Sequence, residues 1–144
     1  TIYTDTARKA LIIVCKNCAM DSKSEISAFA FYPDSVGSVN EPVFRMDANK
    51  IRELSAKSGH HKTSKFQPSA ASIHPVTKKL FIISSASSQL VIADQNGNPE
   101  QVFELGEKLF PQPEGLTFKN DGTMYISNEG VTAKATVLMF RFKP

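Results

Sequence analysis

The chain has 144 residues, 41% hydrophobic and 22% charged, the balance of one ordinary globular unit or part of one. Its net charge of +3 is spread along the chain, which gives no basic stripe for nucleic acid. The longest apolar run, residues 10–15, is strand-sized and too short to span a membrane, and any export signal is expected to have been removed or to lie upstream.

In chain order, Ile2-Tyr3-Thr4 reads as an innermost strand, followed by strand patterns over residues 9–16, 26–32 and 42–46. Asp47 then stands as a helix N-cap, with Ile51 and Leu54 on one helical face up to Lys57 and Gly59 as the stop. A polar, basic loop follows to Lys65. Strands are expected next at 71–73, 80–83, 89–94 and 100–105, with Gln95-Asn96-Gly97-Asn98 as a tight turn. The last group is 116–118, the turn Lys119-Asn120-Asp121-Gly122, 124–127 and 136–142, with no fourth strand after it.

Gln67-Pro68 recurs as Gln112-Pro113, 45 residues on, and both copies open a short strand, a polar turn and a β-rich run. A repeat of that period points to an array of supersecondary units. Four meandering strands make one blade of a β-propeller. The expected class is therefore all-β, with a blade over 1–47, a helix and loop insertion over 48–66, a blade over 67–106 and an incomplete blade over 107–144. Three blades do not close a ring. The chain reads as the C-terminal half of a ring of about six blades, completed by a missing N-terminal half or by a second copy.

In such a blade the start of the first strand and the end of the second share one end of a hairpin. Glu114 is thereby brought towards Asn128 and Glu129, and in the other blades Ser69, Ser84 and Ser85, then Cys15 and Lys16, reach the same rim. Glu114, Glu129 and Asn128 are candidate metal ligands, being hard oxygen donors of the kind calcium or magnesium accepts. Ser69, Ser84, Ser85 and Lys16 are candidate ligand-rim residues. The competing structural role has Glu114 accepting backbone hydrogen bonds and Glu129 capping a turn or pairing with Lys16. Gly115 and Gly130 read as backbone requirements.

Other residues are less specific. Cys15 and Cys18 cannot complete a zinc site alone, and no βαβ context supports a thioredoxin-like motif. His60 and His61, with Lys57, Lys62 and Lys65, form either an anion-binding loop or a solvated surface. His74 before Pro75 reads as a turn residue. No serine lies in a Gly-x-Ser-x-Gly elbow, and the strand aromatics, Phe81, Phe118, Tyr125 and Phe140 among them, read as core packing.

The run Gln112-Pro113-Glu114-Gly115-Leu116-Thr117-Phe118, with Gly122-Thr123-Met124-Tyr125-Ile126-Ser127-Asn128-Glu129, resembles the SdiA-regulated domain family of bacterial six-bladed propellers. Residues 68–75 with 80–84 resemble that family's preceding blade. The resemblance implies an exported envelope protein, periplasmic or at the cell surface and often anchored by an N-terminal segment. It also implies a calcium-like cation in the channel and no settled activity. In an exported protein Cys15 and Cys18 would form a local disulfide or remain two free thiols. Ser69 and Ala70 replace Glu114 and Gly115 in the earlier blade, so the acidic position is not repeated. The leading expectation is an envelope propeller without demonstrated catalysis that binds a small ligand or a protein partner through one face, with calcium as an accompanying cation. The alternative is a metal-assisted hydrolase of lactonase or phosphodiesterase type with Glu114 or Glu129 as ligand or base. A purely structural scaffold is the third.

Overall fold

The computed structural model describes residues 1–33, 41–59, 65–130 and 134–143. His60, His61 and Lys62 lie outside the described residues. Three antiparallel meanders follow one another along the chain, with strand orders β1-β2-β3-β4, β5-β6-β7-β8 and β9-β10-β11. In the first, β1 (Ile2–Asp5), β2 (Ala10–Val14), β3 (Glu25–Phe31) and β4 (Phe44–Asp47) pair in succession. In the second these are β5 (Ala70–Ile73), β6 (Leu80–Ser84), β7 (Gln89–Ala93) and β8 (Pro99–Glu104). The third holds β9 (Pro113–Phe118), β10 (Met124–Asn128) and β11 (Thr136–Phe140). The sheets approach one another through their first strands, β1 beside β5 and β5 beside β9. That is the arrangement of propeller blades, with the first strand of each nearest the axis.

Period-two alternation divides each sheet into two working faces. Ala10, Ile12 and Val14 of blade 1 pack with Leu80, Ile82 and Val91 of blade 2 in one core. The other residues of β6 and β7, Ile83 and Leu90, pack with Ile126 of blade 3 in a second core. Turns are closed by short polar side chains. Asp5 accepts from the Arg8 backbone and guanidinium, and that guanidinium also donates to Gln95 O of blade 2 at 3.1 Å. Asp94 accepts the amides of Asn96 and Asn98.

The insertion forms α1 (Ala48–Lys57), capped by Asp47, whose carboxylate accepts the Asn49 amide at 2.7 Å. Ile51 is buried in the first core, and Ser55 Oγ accepts from Gln89 Nε2 at 2.8 Å, which fixes the helix to blade 2. Several boundaries shift from the expected ones, β9 starting at Pro113 rather than 116 and β11 stopping two residues early. β11 ends at Phe140, because its partner β10 begins at Met124, the residue paired with Phe140. Arg141 and Phe142 therefore leave the sheet, and Phe142 packs against His74 at 4.7 Å between ring centroids.

Candidate functional site

The rim at the start of the inner strands is built by hairpin register. In blade 3, Gly115 pairs with Ser127 and Pro113 with Asn128, so Glu114 is the extra residue of a β-bulge. Glu129 N–H donates to Gln112 O at 2.8 Å, which brings the two glutamates to the same end of the β9–β10 hairpin. Both are exposed, and neither carboxylate has a hydrogen bond or ion pair among the described residues. A Cβ on Gly115 would collide with Ser127 Oγ, so the glycine lets the hairpin strands approach at the bulge.

Asn128 is placed differently. It is buried opposite Pro113, and its amide nitrogen donates to Thr136 Oγ1 at 3.0 Å and Leu109 O at 3.4 Å. Its Oδ1 is buried without a hydrogen-bond partner among the described residues. Asn128 thus ties the hairpin end to the strand that follows, while Glu114 and Glu129 face solvent. Two carboxylates supply charge but not the six to eight oxygens a calcium ion takes. No group of three or more His, Cys, Asp or Glu able to hold a metal occurs among the described residues.

The remaining rim residues divide into pairs. Ser69 Oγ accepts the Ser85 amide at 3.2 Å and donates to Pro113 O at 2.8 Å, a bond across the junction of blades 2 and 3. Ser84 lies at the same strand end but faces inward, where its buried hydroxyl accepts the amides of Gln67 and Ser87. Lys16 is exposed. It makes no ion pair with Glu129 among the described residues. Cys15 and Cys18 are joined in a disulfide that closes the turn leaving β2. In the loop that follows, Asp21 accepts the Ser27 amide at 3.1 Å.

On the opposite rim the turn residue His74 is also the centre of an aromatic group, which its local sequence does not report. His74 is buried, and its Nδ1 accepts the amides of Val76 and Thr77 at 3.2 and 3.1 Å. Burial pushes its pKa below the ordinary histidine value, against a smaller opposing contribution from a hydrogen bond with the Gly122 backbone. The ring is the centre of an aromatic group with Phe81, Phe118 and Phe142. His-Pro followed by Thr carried the turn signal. The aromatic group depends on Phe142 leaving the sheet, and no local pattern reports that.

No curated protein matches the chain. Among solved structures, the WD40 β-propeller domain of Doa1 is similar to it with a TM-score of 0.36 and 9% identity, over 88% of this chain and 47% of that one. The chain thus spans about half the length of that structure. The SdiA-regulated family matches residues 33–132, from the end of the first blade through the inner hairpin of the third. That match covers well over half of the sequence, and the chain belongs to the SdiA-regulated family.

Proposed function

We propose that this chain is part of an envelope β-propeller that binds a small ligand or a protein partner at the rim carrying Glu114 and Glu129, with calcium as a participating cation. The observation that carries this reading is the bulge that gathers two exposed carboxylates at one end of an innermost hairpin. Glu114 and Glu129 would supply the anionic oxygens, Asn128 would hold the hairpin end, and the remaining ligands would come from water, the bound partner or further blades. The Cys15–Cys18 disulfide supports a periplasmic or cell-surface location, since such bonds persist in oxidising compartments. Calorimetric titration of chelator-stripped protein with calcium tests the site. Saturable binding that Glu114→Gln and Glu129→Gln each weaken is the expected result; no heat, or heat indifferent to both changes, would remove the cation from the reading.

Ring completion belongs to the same proposal. Blade 1 turns Leu11, Ile13, Phe29 and Phe31 away from blade 2, and blade 3 turns Tyr125, Val137 and Met139 away from blade 2. Ile13, Phe31, Val137 and Met139 are exposed. Equivalent faces inside the array are sealed by the neighbouring blade, which supports further blades on both sides, from a longer polypeptide or from a second copy. Mass measurement of the 144-residue chain in solution is the check. A stable, well-folded monomer would count against it.

A further inference from the structure

At the end of β9 opposite Glu114, blades 2 and 3 border an open cleft of about 140 Å³ lined by His74, Phe81, Phe118, Met124, Phe140 and Phe142, with Arg141 also in its lining. A second, polar depression of about 390 Å³ shares Arg141 and Phe142 and adds Lys119, Asp121 and Thr123. From these two adjoining spaces we infer a binding site for small organic anions that carry one aromatic ring and a carboxylate. The inference does not rest on the Glu114 rim, and either can fail without the other.

The apolar half fits a ring. An apolar protein cavity of about 150 Å³ holds a benzene-sized molecule. His74 adds little polar demand to the wall, because its Nδ1 already accepts the amides of Val76 and Thr77. The rings of Phe118 and Phe142 pack on the His74 ring at 4.8 and 4.7 Å between centroids, which gives the cleft an aromatic wall against which a ligand ring can stack or meet an edge. Gly122, at φ +88°, keeps this corner open. A Cβ there would come within 2.9 Å of His74 Cε1 and Phe142 Cγ.

The polar half selects an anion. Asp121 is occupied by the Thr123 amide, which it accepts at 2.8 Å, and Lys119 stands 5.7 Å from the Tyr125 ring centroid. Arg141 is exposed and makes no ion pair or hydrogen bond among the described residues. A guanidinium presents a planar fork of donors that matches a carboxylate in two parallel bonds. Its place beside the cleft sets the carboxylate a short distance from the ring.

Amide NMR shifts of the full chain titrated with phenylacetate, benzyl alcohol and acetate test the site. Phenylacetate should give saturable shifts confined to the segments around His74, Gly122 and Phe142. Benzyl alcohol and acetate, each lacking one half of the pairing, should bind at least about tenfold more weakly, as should phenylacetate to Arg141→Gln, since one charge-assisted contact is lost. Arg141→Gln should leave thermal stability unchanged, because the side chain is exposed and makes no ion pair or hydrogen bond among the described residues. Gly122→Ala should also weaken binding. Equal affinity for phenylacetate and benzyl alcohol, affinity unchanged in Arg141→Gln, absence of saturation, or shifts centred on Glu114 and Glu129 would each overturn the inference.

Discussion

On blade 2, Ile83 and Leu90 pair across β6 and β7 and are 0% and 6% exposed, because blade 3 lies over them. On blade 3, Ser127 and Val137 pair in the same way across β10 and β11, and Val137 is 68% exposed. The same holds at the other end of the array. Leu80 and Ile82 are sealed against blade 1, while their counterparts Leu11 and Ile13 on blade 1 face outward. A repeat unit that buries one face on each neighbour is thus complete only in the middle, which is why such arrays need either closure or capping units. The two end faces also differ in kind. Blade 1 offers isoleucine and phenylalanine, whereas blade 3 offers Thr117, Tyr125 and Ser127 beside Val137 and Met139, a surface with more hydrogen-bonding groups.

The largest effect should separate inner from outer positions on one face. Ile82→Ala removes a fully buried side chain from the first core and should cost about 2–5 kcal/mol in denaturant unfolding. Ile13→Ala, at the corresponding outward position, should cost about 0.5 kcal/mol or less in the 144-residue chain. Equal costs would mean that the outward face of blade 1 is covered in solution, and would move the weight of the comparison to assembly. The junction of blades 2 and 3 comes next. Ser69→Ala deletes the bond to Pro113 O and the acceptor for the Ser85 amide, with an expected loss of about 1–3 kcal/mol. No measurable loss would show that the two blades are held by their apolar contacts alone. Smaller still, Asp47→Ala should lower stability by about 1 kcal/mol, since Asn49 and Lys50 lose their capping acceptor. Because α1 packs on blade 2, Gln89→Leu, which removes the Gln89 Nε2 bond to Ser55 Oγ, tests the same attachment from the other side.

The blades were legible in the sequence because each signal is local. Alternation in residues 80–83, the Asp-Gly turn at Asp121-Gly122 and the 45-residue recurrence of Gln-Pro all act within a hairpin or its copy. The proximity of Glu114 to Glu129 followed from the same register. The burial of Asn128 did not, since it alternates along β10 onto the face of Ile126, and only the position of blade 2 decides that this face is the covered one. Ser84 shares a strand end with Ser85 but alternates to the buried face, a distinction that needs the position of the next sheet. Arg141 and Phe142 were read as strand because their alternation continues. The strand stops where its partner does, and that is a tertiary fact.

The aromatic cleft gives the blade 2–blade 3 junction a histidine-dependent pH response. His74 is held neutral, with Nδ1 accepting two backbone amides that a protonated ring could not serve. The charged groups around it are Lys78 and Lys79 on its own turn, Lys119 and Asp121 on the β9–β10 turn, and Arg141 after β11. Burial is what disfavours an imidazolium here. Because the folded pKa lies below the unfolded value of about 6.5, the unfolded chain binds the proton first, and the contribution of His74 to stability is full above that pH. It falls as the pH drops from there towards the folded pKa. Denaturation midpoints between pH 7.5 and 5 should therefore decline in the wild-type chain, and His74→Asn, whose side-chain oxygen can still accept a turn amide, should flatten that decline while lowering stability at pH 7.5 (pH values of about this range suffice to bracket the transition). An identical slope in the variant would assign the acid sensitivity to carboxylates elsewhere and remove His74 as its source.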